Sequence, residues 1–207
     1  MRIYKKTNQL LVLMLTILLS PTLFAHPVTW GGGWVSTTQL TPSKKHIQVH
    51  HSLTHQWSMG MHAVQFTNQT YGMLQINRLI NRCNGEGSQG NIYVLTGAGT
   101  SGQSDPIGHI GLQTDWETRR IYTYLRIDYF SKSNPFTQMN VRLGMAPYLA
   151  NYTEINTWVI LQATQESTPY ASETYIIPMV RLFKQNVLLE IGSDFSDRYL
   201  FTAMIHF

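Results

Sequence analysis

Alternation of apolar and polar side chains recurs in this chain from Gly33 to the last residue, in runs of about ten residues. Successive side chains of a β-strand point to opposite faces, so a period of two indicates strands with one apolar face. No window after residue 25 keeps the apolar period of about 3.6 residues that marks an amphipathic helix. The chain is therefore predicted to be all-β.

The alternating runs predict about 12 strands, within a range of about 10–12. Their length suits strands that cross a bilayer at a tilt, which takes about 9–11 residues. Gly- and Ser-rich linkers such as Ala98–Pro106 and Glu166–Thr174 are predicted as longer loops at one end, and tight linkers such as Gln185–Asn186 as short turns at the other. The predicted strands are Gly33–Leu40, Lys45–Leu53, Trp57–Thr67, Tyr71–Asn81, Gln89–Gly97, Ile107–Trp116, Arg120–Phe130, Gln138–Pro147, Ile155–Gln165, Tyr175–Lys184, Val187–Ser193 and Tyr199–Phe207.

The first 25 residues have the layout of a secretory signal peptide. A basic start precedes an apolar run from Leu10 to Leu19, and a small residue, Ala25, occupies the cleavage position. The run is about half of the ~20 residues that a helix needs to cross a bilayer, which favours cleavage over anchoring. We therefore predict a signal peptide over residues 1–25 and a single exported domain over residues 26–207.

Removal of this segment changes the charge of the chain. It carries three of the fifteen Lys and Arg and none of the eleven acidic residues, so the net charge falls from +4 to about +1. No Lys/Arg cluster remains that could neutralise a row of phosphates, and nucleic acid is not an expected partner. The lone Cys83 cannot form a disulfide within the chain and is predicted to have no chemical role.

The last strand carries the most specific pattern. One face of this strand holds Tyr199, Phe201, Ala203, Ile205 and Phe207, which alternate with Leu200, Thr202, Met204 and His206. An exposed face that ends on an aromatic residue suits lipid and its interface better than water. Here the chain resembles the bacterial outer-membrane β-barrel family, whose members end in an amphipathic strand with a terminal Phe that the insertion machinery recognises. The resemblance implies a closed antiparallel transmembrane β-barrel in the cell outer membrane, with lipid and the insertion machinery as partners. It assigns the assembly signal to Tyr199, Phe201, Ile205 and Phe207.

Charged residues of the predicted strands fall on the face opposite the apolar one. In one strand, Arg126 and Asp128 oppose Ile127, and neighbouring strands present opposite charges within cross-strand reach. A basic residue on the lipid face at mid-membrane would cost ~2–4 kcal/mol, so a bilayer requires this separation. The predicted lumen charge network consists of Asp115, Glu117, Arg120, Arg126, Asp128, Arg142, Arg181, Glu190 and Arg198.

The charged face permits three interpretations. The network lines a narrow channel that selects small solutes, or it fills the lumen of a structural envelope protein, because a barrel of about twelve strands is intermediate in width. A soluble periplasmic β-sandwich would also show alternating strands, but it would bury its apolar face and expose these charges. Buried charged residues would indicate the barrel, and exposed charged residues would indicate the sandwich.

Histidines are concentrated in the first 62 residues, which hold six of the eight. Imidazole is a good ligand for copper and zinc, and His46, His50 and His62 can share one face of two neighbouring strands. The segments Arg82–Glu86 and Asp115–Glu117 are also similar to parts of exported barrel proteins associated with heavy-metal efflux. One alternative hypothesis is therefore a copper- or zinc-binding outer-membrane protein in metal homeostasis; otherwise no cofactor is expected.

A second alternative is a lipid-modifying enzyme of the outer membrane. Ser52 and Ser58 lie near several histidines in the sequence, but no acidic residue in this part of the chain can orient a histidine as nucleophilic catalysis requires. The stretch Gly97–Gly102 lacks a Gly-x-Ser-x-Gly elbow and is predicted as a flexible loop. An enzyme is not expected.

Overall fold

A computed structural model describes residues 26–66, 69–151 and 153–207, all of whose regular elements are β-strands. The predicted signal peptide lies outside the described residues. No helix in the described ranges is long and apolar enough to cross a membrane. The strands are β1 (Trp34–Leu40), β2 (Lys44–Ser52), β3 (Trp57–Phe66), β4 (Gln69–Gly85), β5 (Ser88–Ser101), β6 (Pro106–Thr118), β7 (Ile121–Phe130), β8 (Phe136–Met145), β9 (Asn156–Ser167), β10 (Ser172–Lys184), β11 (Val187–Ser193) and β12 (Tyr199–His206).

These strands form one closed antiparallel barrel in which every strand pairs with its neighbours in the sequence. Closure is made by β1 and β12, whose register runs from Val35 opposite His206 to Leu40 opposite Phe201. Next to this register, Trp34 and Phe207 exchange two further hydrogen bonds between their backbone amide and carbonyl groups, of 2.6 and 3.0 Å. The barrel therefore has no free sheet edge, which removes the site where another chain could add a strand.

The apolar faces of the strands point outward. Leu161 on β9 is 51% exposed and Leu143 on β8 is 61% exposed, whereas Asp128 and Glu190 are 1% and 2% exposed. A sandwich in water would show the reverse. The soluble sandwich is thus wrong, and the predicted barrel of twelve antiparallel strands is confirmed.

The first described residues and the C-terminal residue Phe207 lie at one end of the barrel, which we call the terminus end. The opposite end carries short connections, including residues 102–105 and 168–171, while the longest connection, residues 146–155, lies at the terminus end. The prediction of long loops at Ala98–Pro106 and Glu166–Thr174 is therefore wrong. The glycines explain the first error: a Cβ on Gly99 would lie 1.8 Å from the carbonyl oxygen of Gly72, so glycine here permits close strand pairing.

Candidate functional site: the filled lumen

Glu190 on β11 is the centre of the first lumen cluster, which we call the Glu190 network. Arg181 donates to Glu190 from Nε at 2.8 Å, and Arg142 donates from Nη1 at 3.1 Å. Arg142 also donates from Nε to Gln162 Oε1 at 2.6 Å. The guanidinium groups lie over aromatic rings as well, Arg181 over Tyr122 at 4.2 Å from the centroid. One buried carboxylate thus holds two buried guanidinium groups from β8 and β10.

Asp128 on β7 is the centre of the second cluster, which we call the Asp128 network. Arg126 donates two hydrogen bonds to the Asp128 carboxylate, at 2.7 and 3.0 Å, and His109 Nε2 lies 2.8 Å from the same group. The series continues through Gln75, whose amide contacts His109 Nδ1 at 3.0 Å and His50 Nε2 at 2.9 Å. Five side chains from four strands therefore form one connected series along the wall of the lumen.

A polar bridge crosses the barrel near the end opposite the termini. Lys44 Nζ on β2 donates to Gln138 Oε1 on β8 at 2.6 Å, and these two strands face each other across the lumen. Gln138 in turn donates to Glu166 at 2.7 Å, and Ser43 donates to the same carboxylate at 2.7 Å. Because the bridge joins opposite walls, it narrows the lumen at this level.

Apolar side chains fill much of the remaining lumen. Phe66 packs edge to face on Phe130 and Phe136, with ring centroids 5.2 Å apart in both pairs, next to the polar bridge. The central cavity that the charged residues line has a volume of about 90 Å³, and a second one towards the terminus end has about 80 Å³. Cavities of this size hold a few water molecules. The lumen is therefore closed to larger solutes in this state.

Residues 26–30 lie inside the barrel at the terminus end and are called the N-terminal segment. Thr29 donates from its amide to Ser52 Oγ at 2.8 Å, and Ser58 donates to the Pro27 carbonyl at 2.8 Å. Val28 is 1% exposed and packs in one apolar cluster with two lumen side chains, Leu79 and Tyr93. The segment therefore crosses the terminus end of the lumen.

His26, the first residue of the N-terminal segment, is buried in the lumen. It stacks on Tyr93, with ring centroids 5.7 Å apart, and its Nδ1 lies 3.7 Å from Asp115 Oδ2. Burial, reinforced by the charge of Arg82, lowers the pKa of His26 to about 3. The imidazole is therefore neutral near pH 7, and the side chain brings no positive charge to Asp115.

Seven of the nine predicted network residues line the lumen. Asp115 and Glu117 lie at the terminus end and the others belong to the Glu190 and Asp128 networks. The other two lie elsewhere, and their assignment to the lumen wall is corrected. Arg120 is exposed in the β6–β7 turn because β7 begins only at Ile121, and Arg198 lies in the β11–β12 loop, where it pairs with Glu173 and Asp194.

The structure separates the three proposed metal ligands. The rings of His46 and His62 meet edge to face, with centroids 5.1 Å apart, but His50 bonds to Gln75 in the Asp128 network. In the part of the chain that is described, no group of three or more His, Cys, Asp or Glu residues could hold a metal ion. Nothing in the geometry therefore supports the copper or zinc hypothesis.

The hydrogen bonds found for the two candidate nucleophiles go to residues other than histidine. Ser52 Oγ lies 2.9 Å from Thr29 Oγ1, while Ser58 bonds to Pro27 and accepts from Asn77 at 3.2 Å. Both hydroxyls instead hold the N-terminal segment. The lipid-enzyme hypothesis has no support from this arrangement.

Sequence reasoning missed three parts of the site: Lys44, His109 in its bond to Asp128, and the N-terminal segment. The parity of β2 could have assigned Lys44 to the lumen, because it lies two residues before the inward His46 and therefore on the same face of the strand. No sequence signal could have assigned residues 26–30 to the lumen, since they lie outside every strand.

Gly111 gives a direct test of how tightly the Asp128 network is packed. A Cβ at this position would lie 2.9 Å from Asp128 Oδ1 and 3.3 Å from His109 Nε2. Gly111→Ala is expected to lower the free energy of unfolding by about 1–3 kcal/mol, the usual cost of overpacking. Guanidinium titration in detergent micelles, followed by tryptophan fluorescence, measures this value. Gly72→Ala is the control, because nothing lies within 4 Å of its Cβ; equal effects of the two variants would contradict the prediction.

Comparison with known proteins identifies the fold and no more. No protein-family model and no curated protein matches the sequence. Among solved structures, the NanC porin matches with a TM-score of 0.51 and 9% identity over 84% of this chain and 98% of that one. The KdgM porin, solved in complex with disordered oligogalacturonate, matches with a TM-score of 0.50 and 10% identity over the same shares. The chain therefore shares its barrel fold with these two porins.

Proposed function

We propose that this protein is an outer-membrane β-barrel, exported with a cleaved signal peptide, whose terminus end faces the periplasm. The outward apolar surface supports this location, because such a surface is stable in hydrocarbon and not in water. Exposed aromatic side chains border this apolar surface near both ends of the barrel. Trp34, Trp57 and Trp116 lie towards the terminus end, and Tyr129 and Tyr199 lie towards the opposite end. Such rings are typical of membrane interfaces.

The C-terminal strand supports the same location. Tyr199, Ile205 and Phe207 are 44–47% exposed on the outer surface, and Phe201 has the same parity and lies on the same face of the strand. We propose these four residues as the signal that the barrel-insertion machinery reads. Their outward direction leaves them accessible before the barrel closes on β1.

Within the membrane, we propose a narrow channel of low conductance that prefers small anions. The observation that carries this proposal is the charge around the central cavity, where four basic residues face two acidic ones. The excess of positive charge attracts anions and repels cations. The basic residues are Lys44, Arg126, Arg142 and Arg181, and the acidic ones are Asp128 and Glu190.

Lys44 tests the channel, because it contributes one of these charges and closes the polar bridge to Gln138. Lys44→Ala is expected to raise the single-channel conductance, since the bridge is lost, and to weaken the anion preference, since one positive charge is lost. Planar-bilayer recordings in a KCl gradient measure both, the second as the reversal potential. Lys45→Ala is the matched control. This substitution also removes one positive charge, but from the next residue, whose side chain is exposed on the outer surface.

The result for the control is expected to match that of the unmodified protein. Absence of any conductance in the unmodified protein and in Lys44→Ala would overturn the channel proposal and leave a structural barrel. A change of equal size in the Lys45→Ala variant would show that the lumen charge does not set the selectivity.

A further inference from the structure

We propose that the new amino terminus created by cleavage after Ala25 is bound inside the lumen by Asp115, Glu117 and Asn156, so that residues 26–30 close the terminus end as a built-in plug. The closure of a conducting path rests on the proposed channel function. The binding of the amino terminus rests only on cleavage and on the geometry of the lumen.

The first support is a set of buried oxygen atoms that accept no hydrogen bond. Asp115 Oδ2, Glu117 Oε1 and Asn156 Oδ1 are all buried without a donor within the described ranges. Asp115 is itself only 4% exposed, although its other oxygen accepts from Asn91 at 2.7 Å. A buried acceptor without a donor is costly, so this group of three indicates a missing donor.

The second support is the position of His26 relative to these oxygens. All three residues line the same cavity of about 80 Å³, and His26 lines it with them. Asp115 Oδ2 is the atom that lies 3.7 Å from the His26 ring. The first residue of the mature chain thus lines the same cavity as the three acceptors, and its ring is already close to one of them.

The third support is the chemistry of the donor. Cleavage converts the amide nitrogen of His26 into an ammonium group, which has a positive charge, three N–H donors and no acceptor. The three acceptors equal the three N–H donors in number, and the two carboxylates among them are opposite to the ammonium group in the sign of their charge. The neighbouring cations do not fill this role, because Arg82 donates to Asn91 and Tyr93, and Arg181 donates to Glu190.

The rest of the N-terminal segment is held on the other side of the lumen. Ser52 on β2 and Ser58 on β3 bind Thr29 and Pro27. Asp115 lies on β6, and Asn156 lies on β9, the strand that faces β3 across the barrel. The segment is therefore attached at both of its ends, and it crosses the lumen between them. Such a crossing blocks the path of a solute at the terminus end.

Chemical modification of the terminal amine tests the proposal on the mature protein, purified from outer membranes in detergent. Intact mass first establishes that the chain begins at His26. The folded protein and the guanidinium-unfolded chain are then treated with acetic acid N-hydroxysuccinimide ester, and modification of the His26 α-amine is followed by peptide mass spectrometry. We expect modification about tenfold slower in the folded protein, because a charge-assisted hydrogen-bonded group must first be released.

Asp115→Asn with Glu117→Gln is expected to abolish most of this protection, and Glu86→Gln, an exposed carboxylate in the β4–β5 turn at the same end, is expected to retain it. Heat-modifiable migration in gels shows whether each variant is folded. If the double variant does not fold, Glu117→Gln alone is measured in the same way, and a smaller loss of protection of the α-amine is expected. Equal modification rates in folded and unfolded wild type, or a mature chain that begins elsewhere, would overturn the proposal.

Deletion of residues 26–30 then tests whether the bound segment closes a conducting path. We expect a rise in conductance in planar bilayers, larger than that of Lys44→Ala. A protected amine with no conductance in any variant would reject the channel and keep the bound terminus. An unprotected amine in a conducting barrel would reject the bound terminus and keep the channel.

Discussion

Glu190→Gln is expected to lower the free energy of unfolding by about 3–5 kcal/mol, because it leaves two buried guanidinium groups without their carboxylate. Arg142 and Arg181 are 7% and 8% exposed and both contact Glu190, so neither can recover its hydration by a small movement. Guanidinium titration in micelles, followed by tryptophan fluorescence, measures the change. The midpoint should fall while the slope of the transition stays constant.

The surface pair of Glu173 and Arg198 provides the matched control for this prediction. Glu173 is 59% exposed at its side chain, so Glu173→Gln is expected to cost less than about 1 kcal/mol. A third variant replaces all three charges of the Glu190 network by apolar residues of similar volume. Its stability should be close to that of the unmodified protein, because breaking a buried ion pair costs more than removing it. Equal losses of stability in Glu190→Gln and Glu173→Gln would contradict the stabilising role of the Glu190 network.

Leu161→Arg is expected to lower the free energy of unfolding from a bilayer by about 2–4 kcal/mol, the cost of a basic residue at mid-membrane on the lipid face. Leu161 lies at the middle of β9 and points outward, between Leu143 on β8 and Pro178 on β10. Denaturant titration in lipid vesicles measures the change, with protection from added protease as a check of insertion.

Tyr170→Arg is the control for the lipid-face variant. Tyr170 is 89% exposed in the β9–β10 connection, outside the strands, and its replacement is expected to change stability by less than about 0.5 kcal/mol. A barrel whose outer face met water would tolerate Leu161→Arg equally well. Similar values for the two variants would therefore contradict the membrane location.

Sequence reasoning predicted the twelve strands, and most of their observed ends differ from the predicted ones by a few residues. The largest differences are at the ends of β4 and β5, which extend to Gly85 and Ser101 instead of Asn81 and Gly97. After β4 the chain reverses in a two-residue turn, in which Gly87 has a φ of 72°. Composition led to the error, since a stretch rich in Gly, Asn and Ser has the same composition in a loop as in a closely packed hairpin. The inward or outward direction of each residue was more predictable, because it depends only on parity along the strand.

The candidate site was less predictable than the fold. The inward direction of Asp128 and Glu190 follows from parity, but their partners do not, because Arg142 and Glu190 are 48 positions apart and lie on strands that are not neighbours. The three histidines show the same limit. His46 and His50 share a face as predicted, yet one packs on His62 and the other bonds to Gln75.

Alternation in the amino-acid sequence was sufficient to establish an all-β chain, its approximate strands and the face on which each charge lies, since these properties depend on contacts between residues close in the chain. Closure of the barrel decided the rest. The number of strands and their register set which side chains from opposite walls meet, as Lys44 and Gln138 do. Whether the lumen is open depends on these contacts across the barrel and on the position of residues 26–30. Neither is encoded in any local sequence pattern.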